Sequence, residues 1–96
     1  MRYKLKFLPT ALKEWEKLGS TIKAQFKRKL EKRLEDPEVQ TDRLRGQENY
    51  YKIKLRSSGY RLVYEVEKKA ITVYVIAVGK RDKSMVYKKA SARRRK

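Results

Sequence analysis

Ninety-six residues carrying a net charge of +17, with 41% of side chains charged, have room for one hydrophobic core and no second one. The chain has neither cysteine nor histidine, which excludes disulfides and thiolate zinc sites and removes the usual acid–base and metal-binding side chain. Metal catalysis is therefore not expected and no cofactor is implied, while the charge favours RNA, DNA, acidic proteins or anionic lipid as partners.

Arg2 to Leu8 opens the chain with Tyr3, Leu5 and Phe7 alternating with Lys4 and Lys6, the pattern of a first strand. Pro9 suits the start of a helix, and Leu8, Ala11, Leu12, Trp15 and Leu18 fall at helical spacing. Gly19 is expected to stop it and Ser20 to cap the next helix. In that second helix Ile22, Phe26, Leu30 and Leu34 recur every four residues, up to the breaker Asp36-Pro37. The pair reads as a helical hairpin. Trp15 and Phe26 lie on its apolar stripes and are assigned to the core rather than to base stacking. The basic helix faces alternate with Glu14, Glu16, Glu31 and Glu35 at i,i+3 and i,i+4 spacing, as on a solvated surface.

Glu38 to Glu48 is polar, with Leu44 as its apolar anchor, Gly46 as a turn, and Arg43 and Arg45 close to the next element. From Asn49 to Val66 two alternations face each other across Ser57-Ser58-Gly59, which predicts a β-hairpin. Side chains that pair must share a face, so Leu55 is set opposite Tyr60, Ile53 opposite Leu62 and Tyr51 opposite Tyr64. That register sets Lys54 opposite Arg61, with Lys52 on the same outward face. Opposed like charges destabilise a sheet by up to roughly 1 kcal/mol. With 28 Lys and Arg in the chain, one such pair is unremarkable; three cations on one face point to an anion such as RNA phosphate.

Ile71 to Val78 is apolar on both faces, as a central strand should be. A tight turn at Lys68-Lys69 would set Ile76 beside Arg61, Tyr74 beside Val63 and Ala77 opposite Tyr60, giving the cations an apolar floor. Gly79 ends the strand, and Lys80-Arg81 leave it next to the patch. Asp82 to Arg94 has weak helical character, offers Met85, Val86 and Ala90 as contacts, and carries Tyr87. The terminal ARRRK is expected to fray, as a solubilising end or a phosphate contact. No run reaches the roughly 18 apolar residues that span a bilayer, so a soluble, cytoplasmic protein with no membrane partner is expected.

RNA cleavage by a ribose 2′-oxygen needs a base, stabilisation of a charge-rich transition state and an acid for the leaving 5′-oxygen. Without histidine, neighbouring cations and partial burial can depress the pKa of a lysine until it accepts a proton, with Lys52 or Lys54 as candidates. Arg61 suits a forked clamp on phosphate oxygens. Arg81 can neutralise the leaving oxygen or donate to it, and Tyr87 can stack on a base or bind through its hydroxyl.

ALKEWEKLGS (residues 11–20), YKIKLRSSGYRLVY (51–64) and VGKRDKSMVY (78–87) give the chain, from about Tyr3 to Ala90, a resemblance to the RelE family of bacterial toxins. The resemblance implies an α+β domain over residues 1–90, with two N-terminal helices on a mainly antiparallel four-stranded sheet. A short helical or disordered segment and a basic tail at 91–96 would follow. It further implies a ribosome-dependent endoribonuclease that cuts mRNA in the A site, leaving a 2′,3′-cyclic phosphate and a 5′-hydroxyl. The partners would be mRNA and rRNA on the ribosome, a cognate acidic RelB-like antitoxin, and operator DNA only through the antitoxin complex. Carried over onto this sequence, the active residues are Lys52, Lys54, Arg61, Arg81 and Tyr87, with Arg45 and Lys80 as RNA contacts. After Tyr87 the chain reads KKASARRRK, more basic and less apolar than a docked helix of that family. Two other readings compete: a toxin on the same scaffold that acts without RNA chemistry, for example on gyrase, and a basic nucleic-acid-binding protein without activity.

Overall fold

The structure, a computed structural model, describes residues 2–44, 46, 49–80, 88, 90, 92 and 93. Strand β1 (Lys4–Phe7) leads into helix α1 (Pro9–Glu16), and a short turn joins it to α2 (Ser20–Glu35). A single 3-10 turn at Gln40–Asp42 precedes β2 (Tyr50–Leu55), β3 (Tyr60–Glu67) and β4 (Thr72–Lys80). The sheet order is β1-β4-β3-β2, with β1 parallel to β4 and the other neighbours antiparallel. This is the α+β architecture expected from the sequence.

Both helices lie on one face of the sheet, because their apolar stripes and one side of each strand alternation need the same cover. Ala11, Phe26, Leu30 and Leu34 meet Ile53, Leu55, Leu62, Tyr64, Val73 and Val75 in the main core. Trp15 sits between Phe7, 5.3 Å away by ring centroids, and Phe26 at 6.2 Å. Both Trp15 and Phe26 are thus core aromatics.

Local details differ from the sequence expectation. Helix α1 ends at Glu16, before Gly19, since the amides of Lys17 and Leu18 fold back onto the carbonyls of Glu14 (3.3 Å) and Trp15 (3.0 Å). Leu18 reaches the core from that turn, and Leu12 stays 41% exposed. Gly19, not Ser20, is the N-cap of α2, and no side chain caps it. Glu35 pairs with Arg2 at 2.9 Å, far along the chain rather than within its helix.

The β2–β3 register is the one the alternation predicts, with Leu55 opposite Tyr60, Ile53 opposite Leu62 and Tyr51 opposite Tyr64. The β3–β4 register is not. Its turn runs from Lys68 to Ile71, with the Ile71 amide donating to the Lys68 carbonyl at 3.1 Å. Ile71 adopts φ 49, a left-handed conformation that a β-branched residue enters at a cost of about 1–2 kcal/mol and does not signal in sequence. A bulge between Val63 and Tyr64 slides the register further, so Arg61 faces Gly79, Val63 faces Ala77 and Tyr60 faces Lys80.

Among the described residues no helix is long and apolar enough to cross a membrane. Phe26 is fully buried, so Phe26→Ala should lower the unfolding free energy by about 3–5 kcal/mol. In urea the midpoint should fall with the slope unchanged. A loss under about 1 kcal/mol would show that α2 does not anchor the core.

Candidate active site on the hairpin

Strand alternation sends Tyr50, Lys52 and Lys54 of β2, and Arg61, Val63 and Glu65 of β3, to the face away from the helices. Lys54 pairs with Arg61 and Lys52 with Val63, and directly opposed side chains in such a pair start about 4.5–5.5 Å apart at Cβ. Lys52 and Lys54 are half-buried. Arg61, expected to point freely outward, is only 9% exposed. Its Nη1 donates to the Tyr60 carbonyl at 3.2 Å, while its Nε is buried and, among the described residues, has no hydrogen-bond partner. A guanidinium in this state retains donor capacity that an incoming anion can take up. Lys80 ends β4 opposite Tyr60, with its ammonium 5.6 Å from that ring's centroid.

The cations rest on a second, smaller apolar cluster of Tyr50, Val63, Ile76, Ala77 and Ala90. Gly79 and Ala77 occupy the positions beside Arg61 and Val63 that the sequence reading gave to Ile76 and Tyr74. The turn and the bulge described above are the reason.

Arg81 and Tyr87, and Arg45 ahead of the hairpin, lie outside the described residues. Around them, Leu44 donates its amide to Tyr50 at 2.8 Å, and Lys88, Ala90 and Ala92 are helical. Ala90 is fully buried against this sheet face. Arg93, in the stretch expected to fray, donates to both carboxylate oxygens of Glu14 at 2.9 and 3.1 Å and to the Ile76 carbonyl at 3.3 Å. Glu14 also accepts the Val78 amide at 3.0 Å, so it serves the sheet and this pair rather than a solvated helix face.

Sequence reasoning missed a polar group under β2. Arg33 flanks the α2 stripe, where an arginine resembles ordinary surface; its spacing of i+7 from Phe26 was the signal. Its Nη1 donates to the Lys52 carbonyl at 3.1 Å and to the Tyr64 hydroxyl at 2.9 Å, and its Nη2 donates to Asp42. Tyr64 in turn donates to the Pro37 carbonyl at 2.7 Å and stacks on Tyr51 at 5.7 Å. Burial pushes the Tyr64 phenol up to about 12, the Arg33 hydrogen bond opposing it in part. Tyr51 is raised too, first by burial and then by Glu38.

An open groove of about 420 Å³ lies at the end of the hairpin, lined by Gln25, Lys29, Lys54, Leu55, Arg56 and Ser57, with no acid among the described residues that line it.

Helices on one side of the sheet and crowded cations on the other define a small, basic α+β domain. Comparison with known proteins places it further. The family model of the ParE toxin of the type II toxin-antitoxin system, parDE, matches residues 5–85. The mRNA interferase toxin RelE of Escherichia coli is 55% identical over 93 residues, covering 97% of this chain and 98% of that protein. A mutant of the E. coli toxin RelE in the free state superposes with a TM-score of 0.90 at 54% identity, over 97% of this chain and 98% of that one. The mutant bound to an antitoxin RelBc peptide gives 0.83 at 54% identity, over 94% and 95%. The chain belongs to the ParE/RelE family of type II toxin–antitoxin toxins.

Tyr64 is held neutral by the fold, so its share of stability is complete below the ordinary phenol value of 10 and is lost as pH rises through about 12. Tyr64→Phe should flatten the alkaline fall in stability over that window. Parallel pH profiles for both proteins would contradict this.

Proposed function

We propose that the chain is the toxin of a toxin–antitoxin pair, an endoribonuclease that cuts mRNA in the ribosomal A site and so blocks translation. The observation that carries this is the Lys54–Arg61 pair: like charges directly opposed, with the Nε of Arg61 unpartnered among the described residues. It is supported by 55% identity to proteins named mRNA interferase.

The ribose 2′-oxygen attacks the adjacent phosphorus and the bond to the 5′-oxygen breaks, giving a 2′,3′-cyclic phosphate and a 5′-hydroxyl. The 2′ proton goes to a lysine, Lys52 or Lys54, and the departing 5′-oxygen takes its proton from Arg81 or from water held beside it. Arg61 clamps the equatorial oxygens as their charge grows. Arg81 neutralises the leaving oxygen, and Tyr87 stacks on a base. Arg45 and Lys80 hold the flanking RNA, and the acid-free groove beside Lys54 offers its backbone a path. No metal enters this route; among the described residues no group of three or more Asp or Glu is placed to hold one.

A charge of +17 calls for an acidic antitoxin, similar to the RelB in the solved E. coli RelBE complex. Operator DNA would be met only through that complex, and the site of action is the cytoplasm.

On programmed ribosomes the protein should cut message at A-site codons; intact message would sink this reading, and inhibition of DNA supercoiling instead would favour the gyrase alternative. Arg61→Ala should slow cleavage by about 100-fold or more, yet weaken ribosome binding less than about tenfold. Equal losses in both would remove Arg61 from the chemistry.

A further inference from the structure

Arg33 is a part-buried cation that the cleavage chemistry leaves unused. Its side chain is 17% exposed and that of its ion-pair partner Asp42 is 22% exposed. A desolvated ion pair gives a fold little or no net stability over apolar side chains of similar size, so core packing alone does not account for an arginine here.

What the guanidinium does is geometric. Strand β2 is an edge of the sheet, and alternate carbonyls along it point away from β3. The Leu44 amide takes the carbonyl of Tyr50, and Arg33 takes that of Lys52. An edge strand without such partners opens more readily than a central one. The planar fork is fixed by Asp42 on one side and the Tyr64 hydroxyl on the other, so the Lys52 carbonyl is tied to α2 and to the Gln40–Asp42 turn together.

We propose that Arg33 is a positioning residue for the hairpin site: by anchoring the backbone at Lys52 it fixes the height from which Lys52 and Lys54 extend over the bound phosphate. It touches no RNA itself. The inference rests on the ribonuclease reading, so its test has one arm that needs no cleavage.

Three variants separate positioning from bulk stability. Arg33→Met removes the strut. Asp42→Asn leaves the guanidinium in place but loosens it, and serves if Arg33→Met does not fold. Val73→Ala, a truncation in the main core on β4, removes none of the hydrogen bonds of the guanidinium and so lowers stability with the strut whole. All are compared below their unfolding temperatures.

Under single turnover on programmed ribosomes, Arg33→Met should cleave about 10- to 100-fold more slowly at saturation, with apparent affinity changed less than about twofold. Asp42→Asn should move the same way by less, and Val73→Ala should lose thermal stability while keeping its rate. Independently, backbone 15N relaxation should show lowered order at Lys52 to Lys54 in Arg33→Met and not in Val73→Ala.

A folded Arg33→Met, or Asp42→Asn in its place, with wild-type rate overturns the proposal. So does a rate that falls in Val73→Ala and Arg33→Met alike in step with stability. Should the wild type itself leave message intact, the ribonuclease reading fails and the relaxation arm alone decides: unchanged order in β2 overturns the strut, and selective loosening upholds it.

Discussion

Lys54 stands opposite Arg61 because the core leaves the hairpin no other register. Ile53, Leu55, Leu62 and Tyr64 are buried on the helix side, and a slip of one residue would turn all of them to water. Each such burial is worth about 1.5–3 kcal/mol, against up to roughly 1 kcal/mol of repulsion between opposed cations. Burial wins, and the two charges are held together by residues on the opposite face.

The rest of the chain holds that hairpin and its surroundings in place. Helices on one face leave the other for the cations and for the buried, helical Ala90. The edges are tied by charge. Arg33 and Asp42 close the outer side of β2. Beyond Phe7, β1 no longer covers β4, and there Glu14 takes the Val78 amide and the Arg93 guanidinium. Side chains from α1 and α2 thereby supply hydrogen bonds that neighbouring strands would otherwise have supplied.

How legible this was depended on whether a feature repeats. The hairpin could be read because two alternations and Gly59, at φ 78, all specify one turn. The β3–β4 register could not, since Ile71 in a left-handed conformation and a bulge at Val63 and Tyr64 leave no compositional trace. Arg33 was hidden among other helix cations: its partners Asp42, Tyr64 and the Lys52 carbonyl come from three places in the chain, and no periodicity joins them. Arg93 was hidden likewise, because a basic terminus resembles a tail until Glu14 is found beside it. Membership of the family was legible from YKIKLRSSGYRLVY and VGKRDKSMVY, and a relative 55% identical over 93 residues bears it out.

Opposed cations on the hairpin cost the free protein stability, a cost that an anion would relieve under the proposed function. A double-mutant cycle in urea, combining Lys54→Ala and Arg61→Ala, measures that coupling directly. The pair should prove mutually unfavourable by up to about 1 kcal/mol at low ionic strength, fading with added salt. A coupling of zero or of favourable sign at low salt would contradict it.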